Sequence, residues 1–135
     1  MSEPRSGDAT ASLPATTLDA MFHGQLSLEQ SRTGYRFSVD AILLAHRVAA
    51  HAPKTCLEIG PGCGIVAIAA VWVQPSIERC VAVEVQPALA ALSTANIARN
   101  GLSDRIEVID GDIRASRKRI HGGPFDVVFI NPPYF

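Results

Sequence analysis

Leu57-Glu58-Ile59-Gly60-Pro61-Gly62-Cys63-Gly64-Ile65-Val66-Ala67 is the stretch of this 135-residue chain on which the fold turns. An apolar segment runs into glycines at three alternate positions, and these run into a second apolar segment, Ile65 to Val73. The first part reads as a short strand, Thr55 to Ile59, and the last as a helix. Glycine at 60, 62 and 64 lets the backbone turn sharply between the two and approach a ligand with no Cβ in the way. The helix then presents free amides and the positive end of its dipole to that turn.

The same order recurs downstream. Cys80 to Val85 is a second apolar strand, and Pro87 takes the first helical position of a segment, Ala88 to Arg99, that Asn100-Gly101 terminates. Arg105 to Ile109 is a third strand, ending at Asp110-Gly111-Asp112, and Asp126 to Ile130 is a fourth that runs into Asn131-Pro132-Pro133-Tyr134. Strands alternating with helices predict a doubly wound α/β fold with a parallel sheet. Upstream, Ile42, Leu43, Ala45 and Val48 recur at helical spacing after Ser38 as N-cap, and Pro53 closes that helix. Phe22 to Gln30 alternates weakly, as a hairpin strand does. Residues 1–20, rich in Ser, Thr, Ala, Gly and Pro, read as a disordered tail, which leaves 21–135 as the folded part.

Composition narrows the class. Hydrophobic residues make up 47% and charged residues 19%, as suits a sheet buried on both faces. A net charge of -1 gives no overall attraction for nucleic acid, so such a partner would need a local basic patch. Three cysteines without a CxxC pair argue against a structural metal or a disulfide framework and for a reducing cytoplasm. No apolar run reaches membrane length.

Glu58, Gly60, Gly62, Gly64, Glu84, Asp112 and Asn131 all fall at or just beyond the carboxyl ends of predicted strands, the edge where open parallel sheets bind ligands. Gly62-Cys63-Gly64-Ile65-Val66-Ala67 fits the dinucleotide pattern G-x-G-x-x-A, with Glu84 near its acidic position. Counted from Gly60, however, Ile65 stands where a third glycine is required. Glu84 ends a buried strand, where a carboxylate is costly unless paired, and a ribose diol offers two matching donors. Val85 packs on an adenine face or is simply core. Asp112 accepts an adenine amino group, with Ile113 over the ring, or is an ordinary turn acid.

Asn131-Pro132-Pro133-Tyr134 suits a planar nitrogen. The lone pair of an exocyclic amine or a carboxamide is delocalised, so the nitrogen is a poor nucleophile. Accepting hydrogen bonds from both of its N–H groups favours a pyramidal nitrogen with a localised pair. The Asn131 side-chain oxygen and the Pro132 carbonyl are two such acceptors, and the prolines stiffen the segment without adding donors. Tyr134 offers a face for stacking an extruded ring. Arg36, Phe37 and Asp40, before and within the first turn of the first helix, close over the same edge or serve as core and helix-end residues. Arg114, Arg117, Lys118 and Arg119 either meet phosphates or form a solvated face. Cys63 reads as a small filler, with no His placed to activate it.

Together, Glu58-Ile-Gly-Pro61-Gly-Cys-Gly64, Glu84, Gly111-Asp112 and Asn131-Pro-Pro-Tyr134 resemble the successive motifs of class I S-adenosylmethionine-dependent methyltransferases with an N-P-P-Y signature. Gln30 and Gly34-Tyr-Arg-Phe-Ser-Val-Asp40-Ala-Ile-Leu-Leu-Ala45 resemble more narrowly the lead-in segment of the tRNA1(Val) adenine-37 N6-methyltransferase group. The resemblance implies a Rossmann-like sheet with its first four strands in the order 3-2-1-4. It implies S-adenosylmethionine as cofactor, with its methionine part at the glycine loop, its ribose on Glu84 and its adenine on Asp112, and with Phe37 and Asp40 flanking it. The target nitrogen then lies against Asn131 to Tyr134, and the substrate is RNA, most simply tRNA.

Members of the group continue through further strands, including a terminal antiparallel pair, so the sequence corresponds to the N-terminal part of such a domain. The open edge beside the fourth strand is then expected to be covered by a second copy or a partner chain. Alternatives from the same resemblance are methylation of guanine N2 in rRNA or of a protein glutamine. A cofactor-binding module that is inactive or depends on a partner is a further one. From the glycine pattern alone, a nicotinamide dinucleotide oxidoreductase domain stays open.

Overall fold

The structure, a computed structural model, describes residues 15–33, 36 and 38–132. A hairpin of β1 (Thr16–Met21) and β2 (Leu26–Ser31) leads into α1 (Val39–Ala50). The alternating part follows as β3 (Thr55–Ile59), α2 (Ile65–Val73), β4 (Arg79–Glu84), α3 (Pro87–Arg99), β5 (Ile106–Asp110), a 3-10 turn at Ile113–Ala115 and β6 (Val127–Ile130). The second sheet has the order β5-β4-β3-β6, all parallel, as the 3-2-1-4 expectation requires.

The face of this sheet bearing Cys56, Cys80, Ile106 and Phe129 joins one core cluster with α1, α2, Ile97 of α3 and the hairpin residues Leu26 and Leu28. Every residue of α2 from Ile65 to Val71 is buried, which explains its lack of any polar face. The opposite face carries Val81, Val83 and Ile109, packed by Leu57, Ile113, Ile120 and Phe125. Val128 and Ile130 of the edge strand β6 remain more than half exposed. Cys56 and Cys80 are register partners on neighbouring strands, yet both are free thiols in the core.

Three expectations change. The tail predicted for 1–20 gives way to strand from Thr16, with 1–14 outside the described residues. β1 has little apolar content of its own. It forms because β2 seats Leu26 and Leu28 in the core at 1% and 0% exposure and leaves an edge for β1 to pair, Thr16 opposite Ser31 through Met21 opposite Leu26. Second, α1 buries Ala41, Ala45, Val48 and Ala49, whereas Leu43 is 62% exposed; small side chains let α1 lie close against α2. Third, Ser38 is the N-cap of α1, but its hydroxyl makes no capping bond.

The other edge of β2 is satisfied by side chains. Asn100 accepts the Ser27 amide at 3.0 Å and donates to the Ser27 carbonyl at 2.8 Å. One turn earlier on α3, Asn96 accepts the Glu29 amide and donates to the Glu29 carbonyl, both at 2.8 Å. Two amides four residues apart on one helix face thus stand in for a paired strand. Asn96, fully buried, also donates to the Cys63 carbonyl at 2.8 Å, which ties the hairpin to the glycine loop.

Asn96→Ala is expected to lower unfolding free energy by about 2–4 kcal/mol, because it orphans several buried polar groups. Asn100→Ala, at a half-buried position, should cost about 1 kcal/mol. Equilibrium urea denaturation of the two variants measures both, and equal small losses would remove Asn96 from its bridging role.

Candidate functional site

β4 delivers Glu84, 4% exposed, to the carboxyl edge of the sheet. Its Oε1 accepts the Gly62 amide and its Oε2 the Gln86 amide, each at 3.0 Å. One carboxylate therefore holds the glycine loop against the start of α3. Each oxygen keeps acceptor capacity, so two further hydroxyl donors can be met.

The glycine loop takes the shape the three glycines permit. Gly60 and Gly62 have φ of +71° and +59°, and a Cβ at either would meet no atom within 4 Å. The space beside them is open for a ligand. Gly64, at φ +93°, serves packing instead. A Cβ there would stand 3.1 Å from that of Ser93, so glycine permits α2 and α3 to approach closely.

Glu58 on β3 is 1% exposed, and its Oε2 has no hydrogen-bond partner. Burial pushes its carboxyl up to about 8, opposed by one bond from the Ala67 amide and assisted by the nearby Glu84. A cavity of about 280 Å³ opens over Glu58, and its walls include Gly60, Gly62, Glu84, Val85 and the half-buried Asn131. Pro61, itself buried, lines the same space. Asn131 arrives there because β6 pairs with β3, placing Ile130 opposite Ile59.

A second cavity, also about 280 Å³, lies on the other side of Gly60 and Val85 and is walled by Asp112, Ile113 and Arg114. Asp112 is engaged differently from expectation. Its Oδ1 accepts the Arg114 amide at 2.9 Å, and the exposed Arg114 guanidinium forks across both oxygens, with Nη2 2.6 Å from Oδ2. That guanidinium holds the Asp112 carboxyl down at about 2.

The expected residues thus divide. Glu58, Gly60, Pro61, Gly62, Glu84, Val85 and Asn131 share one cavity, and Asp112 and Ile113 share its neighbour. Gly64 sits behind the loop against α3. Asp40 is exposed in the first turn of α1 and belongs to the wall of neither cavity. Arg36 is turned to the hairpin, where it pairs with Asp19 at 2.9 Å and bonds Thr17 and the Ser31 carbonyl. Pro132 is exposed. Phe37, Pro133 and Tyr134 lie outside the described residues.

Sequence reasoning missed Leu89 and Gln86, which join the first cavity's wall, and Arg114 as the holder of Asp112. Leu89 lies in the first turn of α3, and that position was the available signal. Cys63 lines the cavity too, but burial raises its thiol to about 11, in keeping with a filler and not a nucleophile. Among the described residues, no helix is long and apolar enough to cross a membrane, and no group of three His, Cys, Asp or Glu is placed to hold a metal.

A family model described as methyltransferase small domain matches residues 36–135. The chain is 32% identical over 117 residues to a tRNA1(Val) (adenine(37)-N6)-methyltransferase of Porphyromonas gingivalis, covering 82% of this chain and 46% of that protein. It is 33% identical over 115 residues to the protein of the same description in Shewanella halifaxensis, covering 85% and 44%. Among solved structures, an O-methyltransferase from Bacillus cereus in complex with SAH aligns with a TM-score of 0.64 at 28% identity, over 73% of this chain and 47% of that one. The chain spans about half the length of the relatives it matches.

Burial of Glu58 has a consequence for stability. With its carboxyl raised from 4.5 to about 8, the folded chain keeps a proton that the unfolded chain has already released between those values. The stabilisation is therefore full below about pH 4.5 and is lost as pH rises to about 8, by up to about 1.4 kcal/mol per unit. Urea midpoints at about pH 5 and pH 7.5 should show the wild type losing ground to Glu58→Gln as pH rises. Parallel profiles for the two would contradict this.

Proposed function

Because the chain belongs to the methyltransferase small domain family, we propose that it binds S-adenosylmethionine and serves methyl transfer to a planar nitrogen, the N6 amine of adenine in tRNA. The observation that carries this reading is that Asn131 shares a cavity with Gly60, Gly62 and Glu84. A nitrogen-gripping residue and a cofactor-binding loop then face one space.

The residues present fit the cofactor. Gly60 and Gly62 leave open the room that any side chain would take. Glu84 has acceptor capacity for a ribose diol beyond its two amide bonds. Glu58 offers a buried acceptor without a partner, suited to an ammonium group. Val85 and Ile113 flank the second cavity as two apolar walls for a flat base, with Asp112 at its rim. When bound, S-adenosylmethionine supplies a methyl group already activated on a sulfonium.

The chain's own work is then positioning. The Asn131 side-chain oxygen and the Pro132 carbonyl accept the two N–H bonds of the target amine and turn its lone pair toward the cofactor side of the cavity. Tyr134 stacks on the extruded base. No strongly basic side chain is required: alignment and the fixed dipoles of the pocket favour transfer, and the nitrogen, made acidic by gaining the methyl group, gives up its surplus proton to water. Adenine in tRNA is chosen over other planar nitrogens on the description of the Porphyromonas and Shewanella relatives. With tRNA as substrate, the reaction belongs in the cytoplasm.

Calorimetry with S-adenosylhomocysteine and with NAD tests the cofactor; binding of NAD alone would end this reading. Glu84→Ala should weaken S-adenosylhomocysteine binding by at least about 150-fold, through the loss of two charge-assisted bonds of about 1.5–3 kcal/mol each. Asn131→Ala should bind the cofactor as the wild type does and lose transfer of labelled methyl to tRNA by about 100-fold or more. Unchanged turnover in that variant would remove Asn131 from the chemistry.

A further inference from the structure

The segment after β5 concentrates positive charge. Arg114, Arg117, Lys118 and Arg119 fall within six residues, four of the twelve Lys and Arg in a chain of net charge -1. Residues 113–123 contain no acid.

This run is a built turn and not a loose solvated stretch. Ser116 is 2% exposed and donates its hydroxyl to the Asp112 carbonyl at 2.6 Å. Its own carbonyl accepts the amides of Arg119 at 2.9 Å and Ile120 at 3.1 Å. Ile113 and Ile120 pack on the Val81, Val83 and Ile109 cluster. With one side pinned in this way, the four cations are all exposed. Arg114 is spent on Asp112, and Arg119 donates to the Asp110 carbonyl at 2.8 Å. Arg117 and Lys118 have no carboxylate partner among the described residues. They therefore present two adjacent positive charges to solvent, a pair suited to a polyanion.

The turn also stands in a useful place. It follows β5, while Asn131 follows β6, at the same edge of a sheet ordered β5-β4-β3-β6. Three strand spacings of about 4.8 Å, about 14 Å in all, separate the end of β5, which the turn follows, from the end of β6, which Asn131 follows. A nucleic-acid strand crosses that distance within a few nucleotides. We propose that the 114–119 turn grips the phosphodiester backbone of the RNA substrate through Arg117 and Lys118, while the target base enters at Asn131. This rests on the methyltransferase reading above.

Fluorescence anisotropy of tRNA binding at several salt concentrations, on the full chain, tests it. The double variant Arg117→Ala/Lys118→Ala should bind tRNA more weakly, with the slope of log affinity against log salt reduced by about 1.5, as expected for two lost phosphate contacts. Its binding of S-adenosylhomocysteine should be unchanged. A second pair, Arg47→Ala/Lys54→Ala, removes two exposed cations elsewhere and should leave the slope in place. An unchanged slope in the first variant, an equal loss in the second, or competition by polyglutamate as strong as that by tRNA would each overturn the proposal. A wild type that fails to bind S-adenosylhomocysteine would instead overturn the methyltransferase reading itself.

Discussion

The Glu84 carboxylate accepts one backbone amide from the glycine loop, at Gly62, and one from the start of α3, at Gln86. Among the described residues it is the one side chain that bonds both segments, while Gly60 is also tied to the Val83 carbonyl at 2.9 Å. Gly62 sits at positive φ with open space beyond it, and Gln86 precedes a helix whose N-cap side chain makes no capping bond. A charged acceptor bonded to two backbone donors is worth more than neutral pairs, and burial strengthens it further. The same group then presents its remaining acceptor capacity to the cavity. Folding and ligand binding draw on one carboxylate, so the loops are set before any ligand arrives.

Rigidity reaches that carboxylate from behind. Asn96 links β2 to the Cys63 carbonyl, inside the loop that Glu84 holds from the front. The glycine loop is therefore clamped between a strand end and a helix side chain. Gly64 completes the clamp by letting α2 and α3 approach at Ser93. A hairpin far upstream in sequence thus contributes to the shape of the site without lining it.

What was legible in the sequence follows from this division. β3, α2, β4 and α3 are specified by local pattern: apolar runs, glycine punctuation and Pro87 at a helix start. Glu58, Glu84, Asp112 and Asn131 were legible because a parallel sheet sends the end of each strand to one edge, whatever the details of packing. The hairpin edge was not, because Thr16 to Met21 becomes a strand only through its partner. Asn96 and Asn100 read as ordinary helix residues, since the backbone they serve lies some seventy positions away. In the sequence Arg114 is only part of a basic run; its fork onto Asp112 depends on a turn that no periodicity announces.

The electrostatics of the cavity bear on which ligand it suits. Glu58 and Glu84 both line it, and Glu58 stands opposite Ala82 on the strand that Glu84 ends. A dinucleotide would bring its diphosphate to the glycine loop and α2 amides, within the reach of two carboxyl groups. Its charge would keep Glu58 protonated, whereas Glu84 could serve the ribose of either ligand. A donor with an ammonium and a sulfonium reverses the effect on Glu58, because it favours the ionised form. A buried acid without a cationic partner is favoured in its neutral form, and a cationic ligand is what makes its ionised form worth keeping. The glycine pattern alone leaves the two cofactors open, whereas the buried Glu58 behind it favours the cation.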